Sequence, residues 1–193
     1  MPEIILQHFY NRDPAIVARE LLGKLLVRII DGIRLSGYIV ETEAYYGPED
    51  PASRARRGGD LARTMRGAVG YTLIYGIHRQ WLLNIVAHPP ECYGAVLIRA
   101  IEPLEGIEYM MRYRGRYNIH ELTNGPGRLT RALRIDKSLH RKPVFKSESL
   151  LRIEKGIDVD VKDIAVSYRI GVSKDLDRPL RFYIRGNKFV SKK

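Results

Sequence analysis

Two glutamates near the end of an apolar strand are the side chains best placed to do chemistry. Glu41 and Glu43 fall in the segment 40–50, which carries four acidic residues in a chain of net charge +11. Side chains alternate along a strand, so Glu41, Glu43 and Tyr45 are expected to share one face, with successive carboxylates roughly 6.5–7 Å apart. That spacing leaves room for a water molecule, as in inverting glycosidases. The pattern is also typical of a structural strand in which Glu41 pairs with an arginine and Glu43 is exposed.

Polar residues also interrupt two other apolar runs. Arg99 lies within the run 95–101, where a buried guanidinium is costly unless a carboxylate or a phosphate meets it. Asn84 lies among leucine, isoleucine and valine residues, and a buried amide needs hydrogen-bond partners. Tyr75 comes just before a predicted tight turn, and an aromatic ring at a hairpin tip can wedge between base pairs. Simple packing at the edge of the core is the alternative for Tyr75.

The positive charge is dominated by arginine. Arginines outnumber lysines by 23 to 10, and the guanidinium group makes bidentate contacts to phosphate. The clusters are spread along the sequence, at 54–57, 112–116 and 178–185. A folded basic surface that faces a polyanion is the favoured interpretation. The alternative is a solvated, arginine-rich surface of a thermally stable protein.

Length and composition narrow the class of protein. A chain of 193 residues fits one well-buried domain, here predicted to span 1–193. No apolar run approaches the roughly 20 residues that span a bilayer, and the amino-terminal sequence lacks the pattern of a signal peptide. Cys92 is the only cysteine, and the histidines show no zinc-like spacing with it or with one another. We therefore expect a cytoplasmic protein without a membrane partner or a metal.

The elements that must position these residues follow from turn signals and periodicity. Asp13-Pro14 predicts the start of a helix that ends near Leu22 at Gly23. Strands are predicted over 25–30 and 33–43 around Asp31-Gly32, over 71–77 and 81–87 around Gly76, and over 94–101. Further helices are predicted over 105–112 and 128–133. In the β-rich last third, apolar Leu180, Phe182 and Ile184 alternate with Arg181, Tyr183 and Arg185, which predicts a half-buried strand with one basic face. The fold class is α+β, a single domain around a mainly antiparallel sheet.

Taken together, these segments resemble the 3-methyladenine DNA glycosylase family of the alkyladenine type. The resemblance rests on blocks that follow the family order along almost the whole chain, namely Glu41-Thr-Glu-Ala-Tyr-Tyr-Gly-Pro-Glu-Asp50, Ile74-Tyr-Gly-Ile-His78, Leu97-Ile-Arg-Ala-Ile-Glu-Pro-Leu-Glu-Gly106, Thr123-Asn-Gly-Pro-Gly-Arg-Leu129, Arg169-Ile-Gly-Val172 and Arg178-Pro-Leu-Arg-Phe-Tyr-Ile-Arg-Gly186. It implies a monofunctional glycosylase that flips a damaged purine, alkylated or deaminated, out of double-stranded DNA and hydrolyses its N-glycosidic bond. It also implies a protruding hairpin that inserts into DNA, no cofactor, and action as a monomer at the nucleoid.

The resemblance implies roles for individual residues as well. Glu43 matches the base that activates water, and Arg99 and Asn84 match supporting and pocket positions. Tyr45 matches a ring that stacks on the flipped base, and Tyr75 matches the residue that fills the vacated space in the duplex. Arg54 stands where the family usually has histidine, and Thr72 stands where it has a second pocket tyrosine. Contacts to DNA are predicted for Tyr75, Ile77, Arg56, Arg57, Arg63 and Arg128.

Two other functions compete with the glycosylase. A non-catalytic DNA-binding protein of the same fold is favoured by the changes at Arg54 and Thr72. A glycoside hydrolase that uses Glu41 and Glu43 on a carbohydrate is disfavoured by the charge of +11.

Overall fold

A mainly antiparallel sheet with helices packed around it forms the protein, and a computed structural model describes residues 3–191. Both ends of the predicted 1–193 domain, residues 1–2 and 192–193, therefore lie outside the described residues. The helices are α1 (Pro14–Glu20), α2 (Gly59–Met65), α3 (Ile107–Arg114) and α4 (Pro126–Ala132). The strands are β1 (Leu25–Ile30), β2 (Ile33–Tyr45), β3 (Thr72–Ile77), β4 (Gln80–Val86), β5 (Ala95–Glu105), β6 (Leu151–Glu154), β7 (Ile164–Ser167) and β8 (Arg181–Ile184).

Strand β2 is the centre of the sheet. The order is β3-β4-β5-β2-β1-β6, and β8 pairs with both β2 and β7. The first half of β2 pairs with β1, and its residues 41–43 pair with β8. Strand β2 also pairs with β5 along nearly its whole length. All of these pairs are antiparallel, so the predicted α+β class is confirmed. No helix within residues 3–191 is long and apolar enough to cross a membrane.

The beginning of the chain folds as its turn residues predict. The Asp13 carboxylate accepts a hydrogen bond from the Ala15 N–H at 2.8 Å and caps α1, where Pro14 takes the first helical position. Gly23 then adopts a positive φ of 79°. Two residues of positive φ, Asp31 and Gly32, join β1 to β2, the twist that a two-residue hairpin requires.

Two predictions about element ends are wrong. The β3–β4 turn lies at His78-Arg79, both with positive φ, whereas Gly76 pairs with Trp81 inside the ladder. Strand β5 continues to Glu105, so α3 begins two residues later than predicted. The predicted antiparallel strand β8 is present, but its basic face is not uniformly exposed. Arg181 is only 4% exposed because it binds the buried Glu41 carboxylate, whereas Arg185 is exposed.

The two faces of the sheet are covered differently. The main core packs on one face and includes Ile39, Ala44 and Phe182. On the other face one small cluster joins Ala55 and Met65 to β3, β4 and β5. A second small cluster joins the carboxyl-terminal segment to β2 and β5 through Val40, Ala100, Phe189 and Val190. The two glutamates of β2 lie on this second face.

Candidate active site

Irregular pairing between β2 and β5 sets the positions of the two glutamates. The register shifts on both sides of Glu41, which pairs with Ala100, and Arg99 is left out of the ladder. Such bulges bend a strand and re-aim its side chains, and they are common beside active sites. Thr42 points to the other face, where its hydroxyl donates to the Ala18 carbonyl at 2.7 Å. The predicted common face of Glu41, Glu43 and Tyr45 is confirmed by their shared contacts.

Glu41 is a fully buried carboxylate that accepts hydrogen bonds from three residues. Its Oε1 accepts hydrogen bonds from Arg99 Nε at 2.9 Å, Arg181 Nε at 2.8 Å and Ser191 Oγ at 2.9 Å. The Ser191 N–H donates to Oε2 at 2.7 Å. Burial alone raises the pKa of Glu41, but Arg99, Ser191 and Arg181 outweigh it and hold that pKa below its usual value. A carboxylate offers about two acceptor sites on each oxygen, so Oε1 of Glu41 is fully occupied and Oε2 accepts one hydrogen bond.

Glu43 is equally buried but less saturated. Its Oε1 accepts from the Ile170 N–H at 2.7 Å and lies 3.3 Å from Arg99 Nη1. Its Oε2 accepts from the Tyr45 hydroxyl at 2.8 Å. The Arg99 contact is an ion pair, so Glu43 accepts two hydrogen bonds, one on each oxygen. Burial raises the pKa of Glu43 and outweighs the opposing effects of Arg99, Ile170 and Tyr45. A buried carboxylate with a raised pKa and few hydrogen bonds is typical of a general base.

Arg99 connects the two carboxylates. Its side chain is 8% exposed, and it reaches Glu41 through Nε and Glu43 through Nη1. Burial lowers the pKa of Arg99, yet the charges of Glu43 and Glu41 together raise it above the ordinary value. The prediction that this buried cation meets a carboxylate is confirmed, and it meets two.

Tyr45 lies between the base and a second guanidinium. Its hydroxyl is bound to Glu43, and the Arg169 guanidinium carbon lies 4.5 Å from the ring centroid. Burial and the charge of Glu43 raise the pKa of Tyr45, so its hydroxyl stays a donor. A cation over one ring face is a stabilising contact, and it leaves the opposite face as the side on which a planar base could stack.

Arg169 and its two carboxylate partners lie in the candidate site, although sequence reasoning did not assign them a role. Arg169 Nη1 and Nη2 lie 2.7 Å and 2.8 Å from the Asp50 carboxylate, in a bidentate pair. Its Nε lies 2.9 Å from Asp175. The pair ties the loop after β2 to the loop that presents the Ile170 N–H to Glu43. Asp50 closes the acidic motif and Arg169 opens a later sequence block, but only the fold shows that they meet.

Asn84 and Tyr75 share the face of Glu43, two and three strands away from β2. Asn84 pairs with Leu97 of β5, which pairs with Glu43 of β2. The Asn84 Nδ2 donates to the Leu73 carbonyl at 3.1 Å. Burial raises the pKa of the Tyr75 hydroxyl, partly opposed by charge and hydrogen bonding from Arg54 and by a hydrogen bond with Asn84. These contacts place Asn84, Tyr75 and Arg54 together in the site.

Two sequence predictions are corrected here. Tyr75 does not occupy the hairpin tip, since it lies on β3 three residues before the His78-Arg79 turn and packs inward. Thr72 does not line the site either. It pairs with Ile85 of the main core, and its hydroxyl donates to the Leu139 carbonyl and accepts from the Lys142 N–H at 3.0 Å. Strand alternation turns Thr72 to the opposite face.

Two clefts with basic walls flank the site. One, of about 450 Å³, lies between the short helical turn Arg54–Arg57 and the loop 171–173. The other, of about 240 Å³, is lined by Arg99, Ser191, Gln80 and the start of α4 with Arg128. Arg56, Arg57, Arg63 and Arg128 are all exposed. Four of the predicted DNA-contacting positions are thus solvent-facing cations, and three of these four line the clefts.

Comparison with known proteins identifies the family of this chain. The methylpurine-DNA glycosylase family matches residues 8–188. The chain belongs to this family. It is 47% identical to an Aeropyrum pernix protein over all of this chain and 95% of that protein. It is 43% identical to a Clostridium perfringens protein over 96% of this chain and 97% of that one, and 42% identical to a Salinibacter ruber protein over 95% and 94%. Each is named "Putative 3-methyladenine DNA glycosylase".

Membership of the methylpurine-DNA glycosylase family confirms the resemblance that the sequence blocks indicate. The family is one of enzymes that hydrolyse N-glycosyl bonds in DNA repair, as its name says. The matched region contains every site residue described above except Ser191.

Proposed function

We propose that this protein is a monofunctional DNA glycosylase that removes damaged purines, alkylated or deaminated, with Glu43 as the base that activates water. The observation that carries the assignment is the difference between two buried carboxylates. Glu41 accepts four hydrogen bonds from three residues and has a lowered pKa, whereas Glu43 accepts two and has a raised pKa. Glu43 is therefore the more basic carboxylate and the better acceptor for a proton from water.

The reaction then follows from the surroundings of Glu43. Its ionised form accepts a proton from water as the water oxygen bonds to the sugar carbon and the bond from that carbon to the base breaks. The negative charge beside the sugar also stabilises the positive charge that develops on it. Arg99 opposes the effect of burial on the pKa of Glu43 and favours its ionised form. We assign Arg99 as a positioning residue, since it acts through the carboxylate.

In this proposal the aromatic and amide groups on the same sheet face as Glu43 bind the base. A nucleotide must leave the duplex to reach a buried group, which costs a few kcal/mol and is least costly for weakly paired bases. The face of the Tyr45 ring opposite Arg169 is the stacking surface in this proposal, and Asn84 bounds the pocket on the side of β4. Since Glu43 is fully buried, the base enters only if the half-buried side chains of Tyr75 and Arg54 move aside.

Double-stranded DNA is held by the exposed arginines around the two clefts. Arg56, Arg57, Arg63 and Arg128 are the phosphate contacts in this proposal. The exposed turn after Ile77 is the part of the hairpin that enters the duplex, a role moved here from Tyr75 because Tyr75 packs inward. We propose that the protein acts as a monomer without a cofactor.

The direct test is release of a damaged base. Duplex oligonucleotides that carry one hypoxanthine or one alkylated purine should gain an abasic site, revealed by alkaline cleavage. Glu43→Gln should lose this activity, whereas Glu49→Gln, which removes the same charge from an exposed position in the same segment, should keep it. A non-catalytic DNA-binding protein would instead bind with strong salt dependence and release no base from any duplex. That outcome would overturn the proposal.

A further inference from the structure

The guanidinium of Arg54 lies between the larger cleft and the aromatic part of the site. Its central carbon is 5.5 Å from the centroid of the Tyr75 ring. Arg54 also lines the cleft of about 450 Å³ between residues 51–57 and 171–173. A base that reaches Tyr45 and Glu43 from this cleft passes the Arg54 side chain.

The backbone holds Arg54 in this position. The Ser53 hydroxyl accepts a hydrogen bond from the Ala55 N–H at 3.1 Å and caps the helical turn. Ala55 is 2% exposed and packs with Leu73 in one of the small clusters on the site face. The residue between them, Arg54, is therefore directed at the β3–β4 hairpin, where its charge acts on the Tyr75 hydroxyl.

A guanidinium recognises only part of the range of damaged purines. It is always charged, and its five N–H groups donate but accept nothing. Its best partner on a purine is the pair of acceptors O6 and N7, which it binds in a bidentate manner. A purine methylated at N7 loses one acceptor and carries a positive charge. A 3-methyladenine nucleoside is also cationic and presents an amino group instead of O6.

We propose that Arg54 makes this site selective for neutral 6-oxopurines with an unmodified N7, of which hypoxanthine is the simplest, over cationic N-alkylpurines. The selectivity rests on the glycosylase function proposed above. Two effects disfavour the alkylated bases. They lose the bidentate contact, and their positive charge is repelled by Arg54 in a site with little water.

The leaving group supports the same preference. When water bonds to the sugar carbon of a neutral nucleotide, the bond to N9 breaks with its electron pair and the base leaves as an anion. The proton lost by water goes to Glu43, and the base later takes a proton from solvent. Arg54 at O6 and N7 neutralises the developing negative charge. A cationic base leaves neutral and gains nothing from this contact.

Ordinary guanine also carries O6 and N7, so a second step must exclude it. Guanine is held in the duplex by three hydrogen bonds to cytosine, whereas a deaminated adenine opposite thymine is weakly paired. The lower cost of flipping the mispaired base favours it before Arg54 is reached.

The test compares a neutral and a cationic base in the same protein. Single-turnover release of hypoxanthine from a defined duplex is measured beside release of 7-methylguanine and 3-methyladenine from methylated DNA. We expect the unaltered protein to favour hypoxanthine, and Arg54→Met to reduce the ratio of the two rates about 10-fold to 100-fold. Arg54→Lys, which keeps the charge but loses the planar fork, should give an intermediate ratio.

Arg57→Met is the matched control, because Arg57 is an exposed cation on the same helical turn and lines the same cleft. It should lower release of all bases by a similar factor and leave the ratio unchanged. Unaltered protein that releases the cationic bases as fast as hypoxanthine, or an Arg54→Met ratio within twofold of the original, would overturn the role of Arg54. Absence of any release would instead refute the glycosylase function itself.

Discussion

The Nη1 atom of Arg99 lies 3.3 Å from Oε1 of Glu43. The same guanidinium is bound through Nε to Glu41, so one cation serves two buried carboxylates with opposite pKa shifts. The pKa of Glu41 is lowered and that of Glu43 is raised. One strand thus carries a carboxylate whose ionised form is favoured and, two residues later, one whose protonated form is favoured. The predictions below test this division.

The pH dependence of base release should move when Arg99 is changed. A general base acts in its ionised form, so the rate rises with pH through the pKa of Glu43 and then levels off. Arg99 lowers that pKa, so Arg99→Gln should shift the rising limb to higher pH, whereas Arg99→Lys should shift it less. The measurement is the single-turnover rate against pH. An unchanged limb in folded Arg99→Gln would contradict the electrostatic role of Arg99.

The two glutamates should affect stability in opposite directions at neutral pH. Glu41→Gln leaves Arg99 and Arg181 facing a neutral group, and breaking a buried ion pair costs about 3–5 kcal/mol. Glu43 has a raised pKa in the folded protein, so its ionisation destabilises the fold as pH rises through that range. Glu43→Gln should therefore equal or exceed the unaltered protein in melting temperature.

Thermal unfolding from acid to neutral pH provides the measurement. A change of about 1 kcal/mol corresponds to about 2–4 °C for a chain of this size. The advantage of Glu43→Gln should disappear at low pH, where Glu43 is protonated in both states. Equal losses in melting temperature for the two variants at neutral pH would contradict the division of roles.

The ion pair between Asp50 and Arg169 should support catalysis at a distance from the base. Asp50→Asn weakens a pair in which both side chains are fully buried, and Arg169 then holds Tyr45 and the Ile170 N–H less firmly. A displacement of about 1 Å can cost about 100-fold in rate. We expect base release to fall about 10-fold to 100-fold while binding to undamaged duplex DNA stays unchanged. Full activity in Asp50→Asn would exclude this positioning role.

Thr72→Val should change stability but not activity. The hydroxyl of Thr72 bonds the 139–142 segment to the edge of β3, and an unsatisfied buried group costs about 1–3 kcal/mol. Because Thr72 points away from Glu43, the rate and lesion preference should remain those of the unaltered protein. A changed lesion preference, measured on the same set of duplexes, would return Thr72 to the base pocket.

Local sequence signals predicted the fold well where they act over short distances. Asp13, Pro14 and Gly23 define α1, and Asp31-Gly32 defines the first hairpin, because these residues fix the backbone themselves. The second turn was misplaced because His78 and Arg79 adopt positive φ without a glycine. Neither side chain is a strong sequence signal for positive φ, and the pairing of β3 with β4 imposes this backbone conformation.

Apart from the family resemblance, local signals predicted the candidate site only in β2 and at Arg99. Alternation placed Glu41, Glu43 and Tyr45 together, and the anomalous Arg99 indicated a buried partner. The remaining contacts cross long stretches of chain, since Arg169 meets Asp50 from 119 residues away and Ser191 meets Glu41 from 150 residues away. The alternation of Arg181 with apolar neighbours predicted an exposed basic face, but a buried carboxylate satisfies the same pattern.

The central claim is that Glu43 activates the attacking water, and a single-turnover experiment with Glu43→Gln tests it most directly. The rate of hypoxanthine or methylated purine release and the affinity for the same duplex are measured on one preparation, beside Glu49→Gln. We predict a loss of about 10²–10⁴-fold in rate, with affinity and melting temperature no lower than those of the unaltered protein. A Glu43→Gln protein that releases the base at the full rate would contradict the claim.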